Sequence, residues 1–568
     1  MLTSLVFIPL IAAVLVSALG RAWTRRVAAV GTLLPAVPMV LVLRAMDWRD
    51  AGAQLRSSWS WLPEMGISFE AGVTPVGALL LALTVLLGPI CVFASFTAIT
   101  KRVRTYYFWL LVLQSAMSGV FIAQDVILFY IFFEFTLVPM FVLISLFGST
   151  NRRAAATKFF LYTFTGSVIA LAGLAYVAWW KATQIPAGAF AGAGAWSFDL
   201  AGMQMAASQM PLVQQKWVFL ALMLGFAVKV PLFPLHTWLP LAHTEAPTAG
   251  SVILAGVLLK LGTYGMLVFA IPFCPRAALE AQTFVGVLAV TGILAAGLIC
   301  WVQTDVKKLV AYSSVAHLGF CVLGLFAFNP LGLQGAVLYM INHGLSTGAL
   351  FLCIGMIYER YHTRSMKELG GLAAKMPVWA TFMVFFTMAS VGLPGTNGFV
   401  SEFLCLLGAF QAGPWGAGAP GNVAGLSGNF GFWFAAIAGV GMIVAAMYLL
   451  YMLGRVVWGP LVEPHGHGGH GGHGDHGHGA ATSEAHAPVL PADLTAREIA
   501  VLAPIAALCL GLGLYPKILT APLEASVAQT TRQIDAARGR LATEPVRERE
   551  QAKPTGSPRA AADQGMQP

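Results

Sequence analysis

The sequence predicts an all-α polytopic membrane protein with about fourteen transmembrane helices. Three observations predict it. First, 58% of the 568 residues are hydrophobic and 10% are charged, against about 25% charged in a typical soluble protein. Second, apolar runs of about 20 residues, enough to cross the hydrocarbon of a bilayer, recur along most of the chain. Third, basic residues collect in the short loops between those runs, mostly in alternate loops, as membrane topology requires.

The spans are expected near 2–20, 28–44, 75–98, 107–123, 126–148, 155–180, 215–238, 248–272, 281–300, 307–328, 332–357, 378–411, 430–456 and 496–516. Residues 2–20 lack a basic start and a clear cleavage site, so they read as a retained first span, not a removed signal peptide. Alternation puts Arg21, Arg25, Arg26, Lys101, Arg102, Arg104, Arg152, Arg153, Lys307, Lys308, Arg360, Arg364, Lys367 and Lys375 on one side. The other side receives chiefly Arg44, Arg49, Arg56, Lys181 and Arg276. The richer side is expected to be cytoplasmic, which places both termini in the periplasm of a bacterial inner membrane. The net charge of +9 follows from these loops and does not point to nucleic acid. The seven cysteines stand singly, mostly in apolar runs, without a CxxC or iron–sulfur spacing, and read as small buried hydrophobes.

Two spans contain helix breakers. The seventh holds VKVPLFPLHTWLP, and the twelfth holds VGLPGTNGFVSEF, from Val391 to Phe403. Proline removes a backbone donor and clashes with the preceding turn, so both helices are expected to break. Such breaks persist in a bilayer only where protein or a water-filled cavity lines them. They lie five spans apart. An odd repeat length inverts the second copy, so spans 4–8 and 9–13 are expected to form two inverted five-helix repeats, as in transporters.

Charged side chains inside the apolar runs carry the chemistry. A lysine at mid-membrane costs roughly 2.5–3.5 kcal/mol on insertion scales. Lys229 and Lys260 lie within the seventh and eighth runs, Glu134 in the fifth, His317 in VAYSSVAHLGF, His343 in YMINHGLSTGALF, and Glu402 after the break in the twelfth. Groups this far from helix ends face the bundle interior, where they pair or relay protons. A carboxylate beside a lysine holds it charged, and moving the carboxylate away releases the proton. A Glu134–Lys229 pair of variable separation is therefore a plausible gate. His236 and His243 read as local hydrogen-bonders, and Asp125, Asp305 and Glu359 as loop or interface charges. The stretch EPHGHGGHGGHGDHGHG is a low-complexity loop whose histidines offer weak, adventitious metal affinity; no metal site is assigned. The tail, poor in large apolar residues, is expected to be partly helical or disordered.

VKVPLFPLHTWLPLAHTEAPTAGSVILAGVLLKLGTYG, FEFTLVPMFVLI, VAYSSVAHLGF, NHGLSTGALF and GLPGTNGFVSEF resemble, in order and spacing, the antiporter-like subunits of respiratory complex I over about residues 70–460. Glu402 stands where two of the three such subunits have lysine, so the chain resembles the subunit M (chain 4) branch. The resemblance implies fourteen helices with inverted repeats and a proton path. In it Glu134 and Lys229 form the coupling pair, Lys260 the central relay, His317 and His343 further relays, and Glu402 the exit-side group, bridged by water.

The same resemblance implies that this chain is a translocase subunit of an NADH:quinone oxidoreductase and holds no redox centre of its own. NADH, FMN, iron–sulfur clusters and quinone then belong to other subunits, and the partners are other membrane subunits, including two antiporter-like neighbours. The chain divides accordingly into 1–106, the repeats 107–272 and 273–460, a His/Gly-rich loop 461–495, a last helix 496–519 and a tail 520–568. Two other readings stand beside this one. A subunit of a multisubunit Na+/H+ antiporter or membrane-bound hydrogenase has the same buried charges. A non-conducting membrane scaffold gains nothing from burying Glu134, Lys229, Lys260 and Glu402.

Overall fold

Apolar composition dictates a bundle of helices, because a helix is the one open-ended element that satisfies its own backbone in hydrocarbon. The computed structural model describes residues 1–190, 196–413, 429–464 and 493–543. It is a multi-pass bundle. Twelve of its described helices are long and apolar enough to cross a membrane, and Ser4–Ala18 and Pro377–Val391 are shorter apolar helices. Several helix starts are written in the sequence. Asp125 accepts from the Ile127 and Leu128 amides at 2.9 and 3.1 Å, and Asp305 accepts from the Lys308 amide at 3.0 Å. Asn329 does the same for Gly332 ahead of Pro330. These are N-caps, satisfying amides that a helix leaves orphaned. Asp125 and Asp305 are thus helix caps, while Glu359 accepts a hydrogen bond from Thr97 Oγ1 at 2.6 Å.

Three helices form the centre: Thr248–Phe273, Val306–Phe326 and Pro330–Tyr361, whose apolar stretches are 94–100% buried. The outer helices leave apolar side chains such as Leu161, Trp217, Phe284 and Ile443 exposed, the face expected toward lipid. Both anticipated breaks are present. Leu212–Lys229 ends at Lys229 and the chain resumes as a helix at Leu239; Pro377–Val391 ends before Gly392 and Asn397–Gln411 follows. The first break is sealed by Trp238, whose indole N–H donates to the Val228 carbonyl at 2.9 Å.

One element departs from the all-α expectation. Strands Gln54–Leu62 and Ile67–Val73 pair antiparallel, with Trp59 opposite Phe69 and their rings stacked at 4.2 Å. The hairpin is short and alternates polar and apolar residues, so a search for 20-residue apolar runs passes over it. The tail begins as a helix, Lys517–Thr543, lying against Pro330–Tyr361 and Pro275–Trp301. The histidines of the Gly-rich stretch lie outside the described residues.

Candidate functional site

Lys260 is fully buried in the middle of Thr248–Phe273. Two widened π turns, Leu254–Leu258 and Met266–Ala270, bracket it. In the first, the Leu259 amide reaches back five residues to the Leu254 carbonyl and so leaves the Ala255 carbonyl to another donor. That donor is the Lys260 ammonium, which also donates to His343 Nδ1 at 2.7 Å. Here a local irregularity of the helix supplies the acceptor that a charge at this depth requires.

The centre of the bundle continues this polar contact. The His343 and His317 rings are 5.9 Å apart between centroids. His317 Nδ1 lies 2.7 Å from the Tyr339 hydroxyl, which donates to Glu402 Oε1 at 2.7 Å. His317 Nδ1 and Glu402 Oε1 are themselves 3.5 Å apart. His343 Nε2, His317 Nε2 and Glu402 Oε2 have no hydrogen-bond partner in the protein. Four of the six residues named from the sequence, Lys260, His343, His317 and Glu402, are therefore brought into one buried line. Asn342 holds the restarted helix against the centre, donating to the Asn397 carbonyl at 2.8 Å and to Ser401 Oγ at 3.3 Å. Gly392, at φ 82°, closes over the carboxylate: a Cβ there would stand 2.5 Å from Glu402 Oε2.

Glu134 and Lys229 are not brought into contact. Glu134 Oε1 and Lys229 Nζ each lack a hydrogen-bond partner, and no ion pair joins them. Lys229 instead sits 4.5 Å from the centroid of the Phe133 ring. As the last residue of its helix it lies at the end where backbone carbonyls concentrate negative charge. The ring and the helix end adjoin the ammonium, and Glu134 acts on it through space without a hydrogen bond in this conformation.

One residue reads differently from the sequence expectation. His243 is fully buried with neither ring nitrogen hydrogen-bonded, its ring stacked on Phe351 at 4.6 Å. His236 Nδ1 is also without a partner. His243 is therefore not the local hydrogen-bonder expected, whereas His236 keeps a hydrogen bond to the Pro234 backbone two residues away. Tyr339 was missed, because a tyrosine in an apolar helix gives no signal apart from core packing. Lys307, Arg360, Arg364 and Lys375 line a cleft of about 730 Å³ together with Glu245, Glu359 and Tyr361. Arg360 makes a bidentate pair with Glu498, both bonds 2.9 Å, tying the last apolar helix to the central one. All seven cysteines are free and buried. No group of three or more His, Cys, Asp or Glu among the described residues is arranged to hold a metal ion.

Comparison with known proteins adds a family, two relatives and two solved structures. Residues 123–424 match the family described as NADH:quinone oxidoreductase/Mrp antiporter, TM. The chain is 39% identical over 557 residues to the NADH-quinone oxidoreductase subunit M of Rhodobacter capsulatus, covering 95% of this chain and 98% of that one. It is 36% identical over 470 residues to the NADH-ubiquinone oxidoreductase chain 4 of Marchantia polymorpha, covering 82% and 83%. Its fold matches a chain of respiratory complex I from Thermus thermophilus with bound NADH at TM-score 0.78 and 26% identity, covering 94% and 100%. A chain of the Mrp complex from Dietzia sp. DQ12-45-1b shares the fold at TM-score 0.73 and 22% identity, covering 94% and 98%.

Proposed function

The chain belongs to the NADH-quinone oxidoreductase subunit M family, and from that premise we propose that its buried Glu, Lys and His side chains are the proton path of this subunit. It is a multi-pass membrane subunit of complex I, and its activity is proton translocation coupled to NADH oxidation and quinone reduction. Glu134 and Lys229 form the coupling pair, Lys260 the central relay, His343 and His317 the following relays and Glu402 the exit-side group, with internal water bridging the gaps. The observation that carries this reading is the line from Lys260 through His343 and His317 toward Glu402, buried throughout. A structural core gains nothing from a lysine at that depth.

The separated Glu134 and Lys229 represent the released state of the pair. When the carboxylate approaches, it holds the lysine charged; when it withdraws, the ammonium gives up its proton more readily. The redox groups sit in other subunits, and two antiporter-like neighbours flank this one in the membrane arm. The basic loops around the 730 Å³ cleft face the cytoplasm, and both termini face the periplasm. The inverted-repeat division at 107–272 and 273–460 is supported by the matching breaks after Lys229 and Val391 and by the matching caps Asp125 and Asp305. The Na+/H+ antiporter reading shares the fold, but the relatives covering most of this chain carry the oxidoreductase name.

The test is Lys229→Ala or Glu134→Ala in the assembled complex, measured as NADH-driven acidification of inverted membrane vesicles. Either change should abolish most pumping while the subunit remains in the complex. Pumping at the normal rate removes that residue from the path.

A further inference from the structure

Tyr339 has no part in the functional reading above, yet its hydroxyl contacts both His317 and Glu402. It is 3% exposed and lies 2.7 Å from His317 Nδ1 and 2.7 Å from Glu402 Oε1. The direct separation of those two groups is 3.5 Å, beyond the usual N–H···O range of about 2.7–3.2 Å. The short route runs through the phenol.

Donor and acceptor roles follow from the partners. An ionised carboxylate only accepts, so Tyr339 donates to Glu402, and its oxygen accepts from His317 Nδ1–H. The remaining nitrogen of His317, Nε2, is then a bare acceptor. Lys260 as an ammonium only donates, so His343 Nδ1 accepts and the His343 proton sits on Nε2. The two ring nitrogens without protein partners therefore have opposite character, a donor on His343 and an acceptor on His317. Their rings are 5.9 Å apart.

We propose that the Tyr339 hydroxyl is a proton relay between His317 and Glu402, which rests on the proton-path reading of this site. A proton arriving at His317 Nε2 forms a new N–H bond there. The Nδ1–H bond breaks as that proton passes to the Tyr339 oxygen, and the original hydroxyl proton passes to Glu402 Oε1. One proton enters and one resides on Glu402. Tyrosine is neutral before and after, and no electron changes hands. A phenol suits this step because it holds no charge near neutral pH and passes the proton on without storing it. Rotation of the protonated carboxyl then turns the new O–H toward the side now taken by Glu402 Oε2, which is free of protein hydrogen bonds and faces Gly392 at the helix break, and the proton leaves from there.

The experiment uses the complete complex in inverted membrane vesicles with three variants: Tyr339→Phe, 3,5-difluorotyrosine incorporated at position 339, and Lys260→Ala. Tyr339→Phe should lower the rate of NADH-driven acidification about tenfold, less than the roughly 100-fold or more of a full proton-transfer group, because His317 and Glu402 still approach to 3.5 Å. Difluorotyrosine keeps the hydroxyl but makes it more acidic. It should restore pumping with a rate and solvent-deuterium isotope effect that differ from those of tyrosine, which a merely structural hydroxyl would not produce. Full-rate pumping by Tyr339→Phe beside an inactive Lys260→Ala overturns the relay and leaves the path standing. Full-rate pumping by both overturns the path itself. Should Tyr339→Phe fail to assemble, the fluorinated protein decides: an unchanged rate and isotope effect overturn the relay.

Discussion

Lys229 and Lys260 are both buried lysines in successive membrane spans, yet they are held in different ways. Lys229 closes a helix at a proline-rich break, rests against the Phe133 ring, and has no hydrogen-bond partner. Lys260 lies within a continuous span, bonded to a backbone carbonyl and to His343. Around Lys260 the partners are fixed by three tightly buried helices. Around Lys229 the carboxylate is close in sequence to the ring that holds the ammonium, but not in contact with it. A charge with fixed partners passes protons along; a charge whose partner is displaced stores a choice between two states. The two regions are therefore expected to fail differently when altered.

The largest effect is expected from Lys260→Ala. It removes the first link of the connected line and leaves His343 without its donor. Acidification of inverted vesicles should fall by roughly a hundredfold. A variant that retains a tenth or more of the rate would mean that protons bypass the connected half. Phe133→Leu sharpens the contrast from the other side. It keeps apolar bulk but removes a cation–π contact worth about 1 kcal/mol, so the pair equilibrium should shift about fivefold toward Glu134–Lys229 contact. The pumping rate should drop by a similar factor, and an unchanged rate would show that the ring does not hold the released state. Gly392→Ala should act least on the chemistry and most on the scaffold. A left-handed backbone costs a non-glycine residue about 1–2 kcal/mol, and the new Cβ crowds Glu402. The solubilised complex should show a lower Tm, with pumping reduced only to the extent that Glu402 is displaced.

Much of this was legible in the sequence because charge inside an apolar run stands out against a uniform background. Glu134, Lys229, Lys260 and Glu402 announce themselves in that way, and the prolines announce both breaks. What was not legible has a common cause: it depends on which residues meet. Tyr339 is one aromatic among many until the fold sets its hydroxyl between His317 and Glu402. The freed Ala255 carbonyl has no sequence signature, because a π turn arises from helix packing and not from one residue type. His243, expected to hydrogen-bond locally within the kinked stretch, instead stacks on Phe351. The hairpin of residues 54–73 mixes polar with apolar residues, so a search for continuous apolar runs does not register it.

The two widened turns around Lys260 also set the rotational bookkeeping of their helix. Each π turn absorbs one surplus residue relative to an α-helix, and one residue corresponds to about 100° of rotation. If the Leu254–Leu258 turn tightened to ordinary α geometry, the side chains beyond it would swing by about that angle, and Lys260 would face away from His343. The surplus residue thus works as an index mark: it determines which way the ammonium points, and a single-residue deletion in Leu254–Leu258 would reset it.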